Sequence, residues 1–496
     1  MNLYQEFQKN VKVNGSKILA KDPYGELSYT QCYEASEALA KVFHQRYPSA
    51  SHIAFLLPSI KEVFIAVFAA IRANMASVPL NFLLTPQEIL KIVKAGEIKF
   101  IFTTKEWGEP LKQACDSMGL SIDFCFIDDL QGDYSVKNLL ELSATCEPVD
   151  LIDDEDRMAL LLFTSGTTGF PKGVMLSHKN LLHNINGCKQ VLNIQTEDKI
   201  LGVLPYFHTF ALTGTLFLPA LSGCLVVLVP RFKPALTIKL MKQEQITLIA
   251  LVPSMYKTFL SPRVPDDAFS TIRTVVSGGE ALPVSLAKSF HHKFDRVIME
   301  GYGMTETSPV ISVNAHECPE QLGSVGHPID GTTILILDEE GQELAQGRIG
   351  EIAVKSPSVM LGYFKNPQET DKIMHEGALL TGDMGYLDEN ENLIISGRKK
   401  ELIISAGENV YPTEVEDVAK EYPGILECAV IGKKSESRGE TVIMVVSPII
   451  DEKPFRAYLN ENLPNFKRPK QIFFQEELPK NPLGKIIKKE LTKLYC

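Results

Sequence analysis

Strand-like runs alternate with helix-like ones from one end of this chain to the other. That alternation confines it to an α/β architecture built on largely parallel sheets. Ile53-Ala54-Phe55-Leu56-Leu57 is an apolar run of strand length, and Gln31 to Phe43 places Ala35, Leu39, Val42 and Phe43 on one helical face. Thr85-Pro86-Gln87-Glu88 joins a capping-box pair to Pro at the first helical position, so a helix begins there. Val275-Val276-Ser277 runs into the turn Gly278-Gly279-Glu280, and Asp295 to Met299 leads into a second glycine turn at Gly301. At 496 residues the chain exceeds a single hydrophobic core, so more than one domain is expected. The boundary is placed at Gly397-Arg398-Lys399-Lys400. It divides a large domain, 1–397, from a compact one, 398–496, with its own α/β pattern through Ala429-Val430-Ile431 and Val442 to Val446.

A formal charge of −11 leaves no basic face to neutralise a nucleic-acid backbone, and nucleic acid is excluded as a partner. The lysines crowding the C-terminal end (Lys467, Lys470, Lys480, Lys485, Lys488, Lys489, Lys493) suit a small anion better, and for most of them a solvated surface suffices. Nine scattered cysteines without a C-x-x-C pair indicate neither a disulfide frame nor a zinc site, which fits a reducing, cytoplasmic setting. Met1-Asn2-Leu3-Tyr4-Gln5-Glu6 lacks the basic-then-apolar build of a signal peptide. Thr209 to Pro230 carries no charge and is long enough to span a bilayer. Gly214, Pro219, Ser222, Gly223 and Pro230 break it into a short helix and the strand Leu225-Val226-Val227-Leu228-Val229, so it reads as buried core and no transmembrane segment is expected.

The loop Thr164-Ser165-Gly166-Thr167-Thr168-Gly169-Phe170-Pro171-Lys172-Gly173 follows the buried strand Met158 to Phe163. Small hydroxylated residues and glycines let backbone N–H groups approach phosphate oxygens, and Lys172 adds a cation beside them. A Walker A pattern cannot be fitted to these residues. Composition alone suits a plain Ser/Thr/Gly surface loop equally well. The motifs downstream, in a fixed order, decide for the nucleotide.

Those motifs are Leu204-Pro205-Tyr206-Phe207-His208, Ser277-Gly278-Gly279-Glu280, Gly301-Tyr302-Gly303-Met304-Thr305-Glu306, Thr381-Gly382-Asp383, Gly397-Arg398-Lys399-Lys400-Glu401 and the Pro482-Leu483-Gly484-Lys485 loop. Together with Thr164 to Gly173 they resemble the adenylate-forming superfamily, closest to acyl-CoA synthetases that ligate fatty or aryl acids. The likeness covers nearly the whole chain. It implies a large N-terminal multi-sheet domain holding ATP and the acyl pocket, and a small mobile C-terminal α/β domain. It also implies ATP, CoA and Mg²⁺ as the small molecules handled, in two half-reactions: acyl-adenylate formation, then thioester formation.

The resemblance also implies roles. Glu306, with Thr164, would hold Mg²⁺, and Thr305 would contact the α-phosphate. Ser165, Gly166, Thr167, Thr168 and Lys172 would cradle phosphates. Ser277, Gly278, Gly279, Glu280, Gly301, Tyr302 and Gly303 would border the adenine and the adenylate. Asp383 and Arg398 would take the ribose, since a carboxylate accepts from two hydroxyls. Asn409 would touch the adenylate, where relatives often carry a longer side chain. Lys485 would be the lysine of the first half-reaction, Lys400 the hinge, and Gly407 a passage for pantetheine. His208 would gate the acyl tunnel.

Acetate-specific relatives carry a Trp two residues before the Thr-Glu pair; here Gly303 stands there. A deeper pocket, walled by His208, Leu212 and the Val275–Gly279 strand end, is therefore expected, with a medium- or long-chain fatty acid or an aryl acid as substrate. Two rival readings remain: a fatty acyl-AMP ligase serving an acyl-carrier protein, and a non-catalytic nucleotide-binding relative.

Overall fold

The computed structural model describes residues 1–129, 135–165, 171–315, 322–405, 408–435, 439–480 and 486–496, with the side chains of Ser165 and Gly439 excepted. Successive residues of its apolar strands enter different cores, as a side-chain period of two demands. In Lys199–Gly202, Ile200 joins one cluster and Leu201 another. In Leu248–Leu251, Leu248 and Ala250 join the first, Ile249 and Leu251 the second. Elsewhere Phe55, Phe100, Leu160 and Leu162 join that same first cluster, while Ala54, Leu56, Ile101 and Leu161 belong to a third. Two sheets therefore share one core between them, and each has a separate core on its outer face.

Helices fill all three spaces. Leu3–Asn14, Tyr29–Arg46, Glu62–Arg72 and His178–Val191 supply the shared core. Pro86–Ala95 and Lys105–Ser117 cover one outer face; Pro234–Glu244, Pro253–Phe259 and Val284–Phe294 cover the other. Fully covered sheets are what near-continuous apolar strands require. The helix expected at Thr85 starts with its capping box in place: Glu88 N–H donates to Thr85 Oγ1 at 3.4 Å, and Thr85 N–H to Glu88 Oε2 at 2.8 Å. The helix over Gln31–Phe43 buries Leu39, Val42 and Phe43, together with Cys32 and Ser36, while Ala35 is half-buried.

The first sheet runs His327–Pro328, Val310–Val313, Met299–Gly303, Thr274–Ser277, Leu248–Leu251, Lys199–Gly202, Leu225–Leu228, Ile18–Asp22, Gly25–Ser28. It is parallel from Met299–Gly303 to Ile18–Asp22 and antiparallel at both margins. The second runs Gly362–Tyr363, Pro171–Ser177, Met158–Ser165, Ala76–Pro79, His52–Leu56, Phe100–Thr103, Asp123–Phe126. Pro171–Ser177 pairs antiparallel with the strand on either side of it, and the remaining pairings are parallel.

Two smaller sheets depart from the largely parallel expectation. Thr333–Leu337, Gly350–Lys355, Met374–His375, Ala378–Leu387 and Leu393–Arg398 pair antiparallel throughout. A C-terminal sheet of Glu408–Val410, Ile403–Ser405, Gly439–Ser447 and Glu427–Ser435 has only Gln471–Phe474 added in parallel, and a core of its own. Short connections make hairpins, and hairpins are antiparallel.

Two local expectations are refined. Gly301 is no turn: it sits inside Met299–Gly303, opposite Val313, and the chain turns instead between Met304 and Pro309. Thr209–Pro230 is buried as expected, but its helical part contains a π-helical stretch, Leu212–Phe217, before the strand Leu225–Leu228. Among the described residues no helix is long and apolar enough to cross a membrane.

Candidate active site

A cavity of about 750 Å³ opens where the first sheet ends in its glycine-rich segments. Its wall includes Gly278, Gly279 and Glu280 after one strand and Gly301 to Thr305 at the end of the next. Gly279 has φ +82°, a left-handed setting that favours glycine, so this turn is fixed by sequence. A Cβ at Gly278 would stand 3.3 Å from the Phe210 ring, so the missing side chain lets an aromatic wall approach the backbone. Cys188, Leu192, Leu248 and Ala250 carry the cavity into the helical layer between the sheets. Phe82, Trp107, Phe232 and the exposed Arg231 carry it towards solvent. Phe82 and Trp107 stack with centroids 4.9 Å apart, and Phe207 meets Phe82 edge-on at 5.1 Å.

His208 lies on this wall, its ring 4.6 Å from that of Phe207. Burial pushes its pKa down to about 4, so it is a neutral, largely apolar surface at physiological pH. Thr305 lines the cavity beside Met304.

Asp383 faces Arg398 in the antiparallel pairing of Ala378–Leu387 with Leu393–Arg398. Arg398 Nε is 2.7 Å from Asp383 Oδ1, and Tyr302 Oη donates to Asp383 Oδ2 at 2.7 Å. The carboxylate is 5% exposed and the Arg398 side chain 53%, so a buried acid is held between a half-buried phenol and a half-free cation. Burial, then the Asp383 charge, raise the Tyr302 phenol well above its ordinary value, which keeps it a donor.

A second cluster forms around Tyr363. Its hydroxyl donates to Glu306 Oε1 at 2.8 Å, while Lys172 Nζ sits 4.9 Å above its ring and 2.5 Å from Glu369 Oε2. Lys372 holds the other oxygen of Glu369, and the two lysines bring that carboxyl down to about 2. Thr164 pairs in register with Lys172 across the hairpin, so Thr164, Lys172, Tyr363 and Glu306 belong to one neighbourhood. Among the described residues Glu306 Oε2 has no hydrogen-bond partner, and no three His, Cys, Asp or Glu side chains converge as a metal site. A hard cation here would rest on Glu306 and Thr164 and take its remaining oxygens from a ligand.

Several expected site residues stand elsewhere. Leu212 does not line the cavity: it lies in the core, fully buried, and Thr213 and Gly214 of the same π-helical stretch line the cavity instead. Gly303 lines the cavity, but its lack of a side chain answers to packing, since a Cβ there would fall 1.9 Å from Pro309 O. Ser277 is buried within its strand and off the wall. Asn409 is exposed on Glu408–Val410 in the C-terminal sheet, also off the wall. Lys400 is exposed in the 3₁₀ turn Lys399–Glu401. Its neighbours are tethered in opposite directions, Lys399 to Glu351 at 2.6 Å and Glu401 to Lys488 at 2.8 Å. Gly166, Thr167, Thr168, Gly407 and Lys485 lie outside the described residues, as does the Ser165 side chain.

Tyr363 and Glu369 escaped the sequence reading. The signal was present in Asn366-Pro367, a helix start whose Asn366 side chain accepts from Glu369 N–H at 3.3 Å. The stacked Phe82 and Trp107 carried no such signal, because tertiary packing alone brings them together.

A family model described as AMP-binding enzyme matches residues 7–364, and another, AMP-binding enzyme C-terminal domain, matches residues 414–485. The chain belongs to the AMP-binding enzyme family. A long-chain-fatty-acid–CoA ligase of Bacillus subtilis (strain 168) is 38% identical over 348 residues, which is 68% of this chain but only 62% of that relative's length. An indoleacetate–CoA ligase of Aromatoleum aromaticum is 31% identical over 504 residues, spanning 100% of this chain and 98% of its own. ATP-bound MatB from Rhodopseudomonas palustris superposes with a TM-score of 0.90 at 29% identity, over 100% of this chain and 99% of that one. Asp383, Arg398, Glu369 and Lys400 all fall between the two family matches.

Proposed function

We propose that this chain joins a carboxylic acid to coenzyme A with ATP, through an acyl-adenylate. One observation carries the reading: in an AMP-binding family member, an apolar cavity of about 750 Å³ opens directly onto the glycine segments Gly278–Glu280 and Gly301–Thr305. Charged nucleotide and apolar acid would meet at that junction. The acid's carboxylate oxygen attacks the α-phosphorus and the bond to pyrophosphate breaks. A thiol sulfur, losing its proton, then attacks the acyl carbon and AMP leaves.

Phosphoryl transfer asks for alignment and neutralisation rather than covalent help. Glu306 and Thr164 would hold Mg²⁺, whose chemistry is to offset charge spreading over the phosphates. Lys172 adds a nearby cation, its ammonium steadied by Glu369 and the Tyr363 face. Asp383 and Arg398 suit a ribose, the carboxylate being already fixed by Tyr302. Lys485 is assigned to the first step and Gly407 to pantetheine passage. Lys400 is assigned to a hinge between domains 1–397 and 398–496, a reading favoured by the opposite tethers of Lys399 and Glu401. The apolar wall favours a medium- or long-chain fatty acid or an aryl acid. A reducing, cytoplasmic setting suits the free cysteines of the described residues.

The test is acid-dependent pyrophosphate release from ATP, followed by CoA-dependent AMP release. Pyrophosphate without any response to CoA would point to an adenylating enzyme with another acceptor. No pyrophosphate with any acid would leave a nucleotide-binding relative.

A further inference from the structure

The part of the cavity wall built from the segment after His208 has one gap. Between Ala211 and Ala220, Gly214 is the single residue that is not buried; Leu212, Thr215, Leu216 and Phe217 all turn into the core. Gly214 belongs to the π-helical stretch Leu212–Phe217 and lines the cavity beside Thr213. A π turn holds one residue more than an α turn and displaces its side chains from the α-helical positions, which is why such turns recur at functional sites.

Three of the other four lining glycines have structural reasons, and at the fourth, Gly301, a Cβ would meet strand backbone, Ser277 O at 3.7 Å and Ser312 O at 3.9 Å, and not open space. A Cβ at Gly303 meets Pro309 O at 1.9 Å, one at Gly278 meets the Phe210 ring at 3.3 Å, and Gly279 needs its positive φ. At Gly214 a Cβ meets nothing within 4 Å. A side chain there enters empty cavity without moving any backbone. Control over the cavity's reach therefore sits at this position and not at Gly303, where the backbone leaves no room.

The surroundings suit an uncharged tail. The π stretch packs on His178–Val191, which contributes Cys188 to the wall, and Leu218 follows on the same run. The Thr213 hydroxyl is engaged, donating to Ser308 O at 3.0 Å. Arg231, the lining residue with a permanent positive charge, is 74% exposed and paired with Glu106 at 3.1 Å, so it offers no buried partner for a second carboxylate.

We propose that Gly214 is the specificity-determining residue for tail length: its bare backbone admits the extended apolar tail of a monocarboxylic acid, and any side chain there shortens the acid accepted. The proposal rests on the acid–CoA ligase reading. It is tested with Gly214→Ala and Gly214→Leu by measuring kcat/KM for acetate, octanoate and palmitate in pyrophosphate release, with Tm measured alongside.

With four added carbons, Gly214→Leu should lower the palmitate-to-acetate ratio about 100-fold, and Gly214→Ala about fourfold. Tm should stay near wild type, and the loss of kcat/KM should grow with chain length from acetate to palmitate. Equal losses on all three acids, or an unchanged ratio, overturn the proposal while leaving the ligase reading intact. If the leucine variant does not fold, the alanine ratio decides. A wild-type protein that releases pyrophosphate with none of the acids overturns the ligase reading itself.

Discussion

Tyr302→Phe removes one hydroxyl and leaves the ring on the cavity wall. In the intact protein that hydroxyl donates to Asp383 Oδ2 at 2.7 Å, and Arg398 Nε holds Oδ1 at the same distance. Hydrogen bonds to charged groups contribute about 1.5–3 kcal/mol, and each 1.4 kcal/mol is tenfold in an equilibrium. Because Arg398 keeps its grip, the lower end applies, and kcat/KM for ATP should fall about tenfold. The assay compares ATP with 2′,3′-dideoxy-ATP in acid-dependent pyrophosphate release. If the carboxylate fixed by Tyr302 meets the ribose, the variant loses activity on ATP and little on the dideoxy analogue, and wild-type discrimination between the two shrinks. An equal loss on both nucleotides, or a rise confined to the KM for the acid, refutes the assignment of Asp383 to the ribose.

Three further outcomes are expected. Lys485→Ala should cripple adenylation and spare thioester formation from supplied acyl-adenylate, because a cation is needed while pyrophosphate departs; equal losses in both half-reactions would remove Lys485 from the first step. Lys400→Pro fixes φ and restricts Lys399, so thioester formation should suffer far more than adenylation, and unchanged overall turnover would argue against a hinge there. His178 and His208 are both held down to about 4 by burial, so the unfolded chain binds more protons than the folded one between about pH 6.5 and 4. Stability is then lost as pH falls through that window, about 2 kcal/mol per histidine by pH 5. Urea midpoints at pH 7 and pH 5 should diverge less in a His178→Phe, His208→Phe double variant, and an identical divergence would refute the attribution.

The sequence disclosed what local chemistry controls. The capping box at Thr85 and the strand runs at Met158 and Val275 depend on neighbours in the chain, and each forms where its residues require. The broken apolar run from Thr209 is buried for the same reason. What stayed hidden depends on register and on distant partners. Leu212 and Gly214, two positions apart, face opposite ways on any helical stretch, and which of them meets the cavity depends on how that stretch docks on His178–Val191, which hydrophobic periodicity cannot register. Gly301 looks like a turn residue, yet a neighbouring strand pairs with it. Gly303 invited a reading as an open pocket floor, but the carbonyl of Pro309 six residues on dictates its identity. Tyr363 meets Glu306 across 57 positions of chain, a contact made by the edge strand Gly362–Tyr363 docking on Pro171–Ser177.

The antiparallel register that sets Arg398 against Asp383 also makes Arg398 the last residue of its strand, two positions before Lys400. On the proposed hinge at Lys400, a swivel of the chain at that turn would pull on the guanidinium touching the buried carboxylate. Binding and orientation would then be linked in both directions: a nucleotide held more tightly in one setting of the C-terminal region would populate that setting by the same factor. Losing the nucleotide would relax the region, and turning the region would loosen the nucleotide. The molecule would keep the order of its two half-reactions through one short stretch of strand.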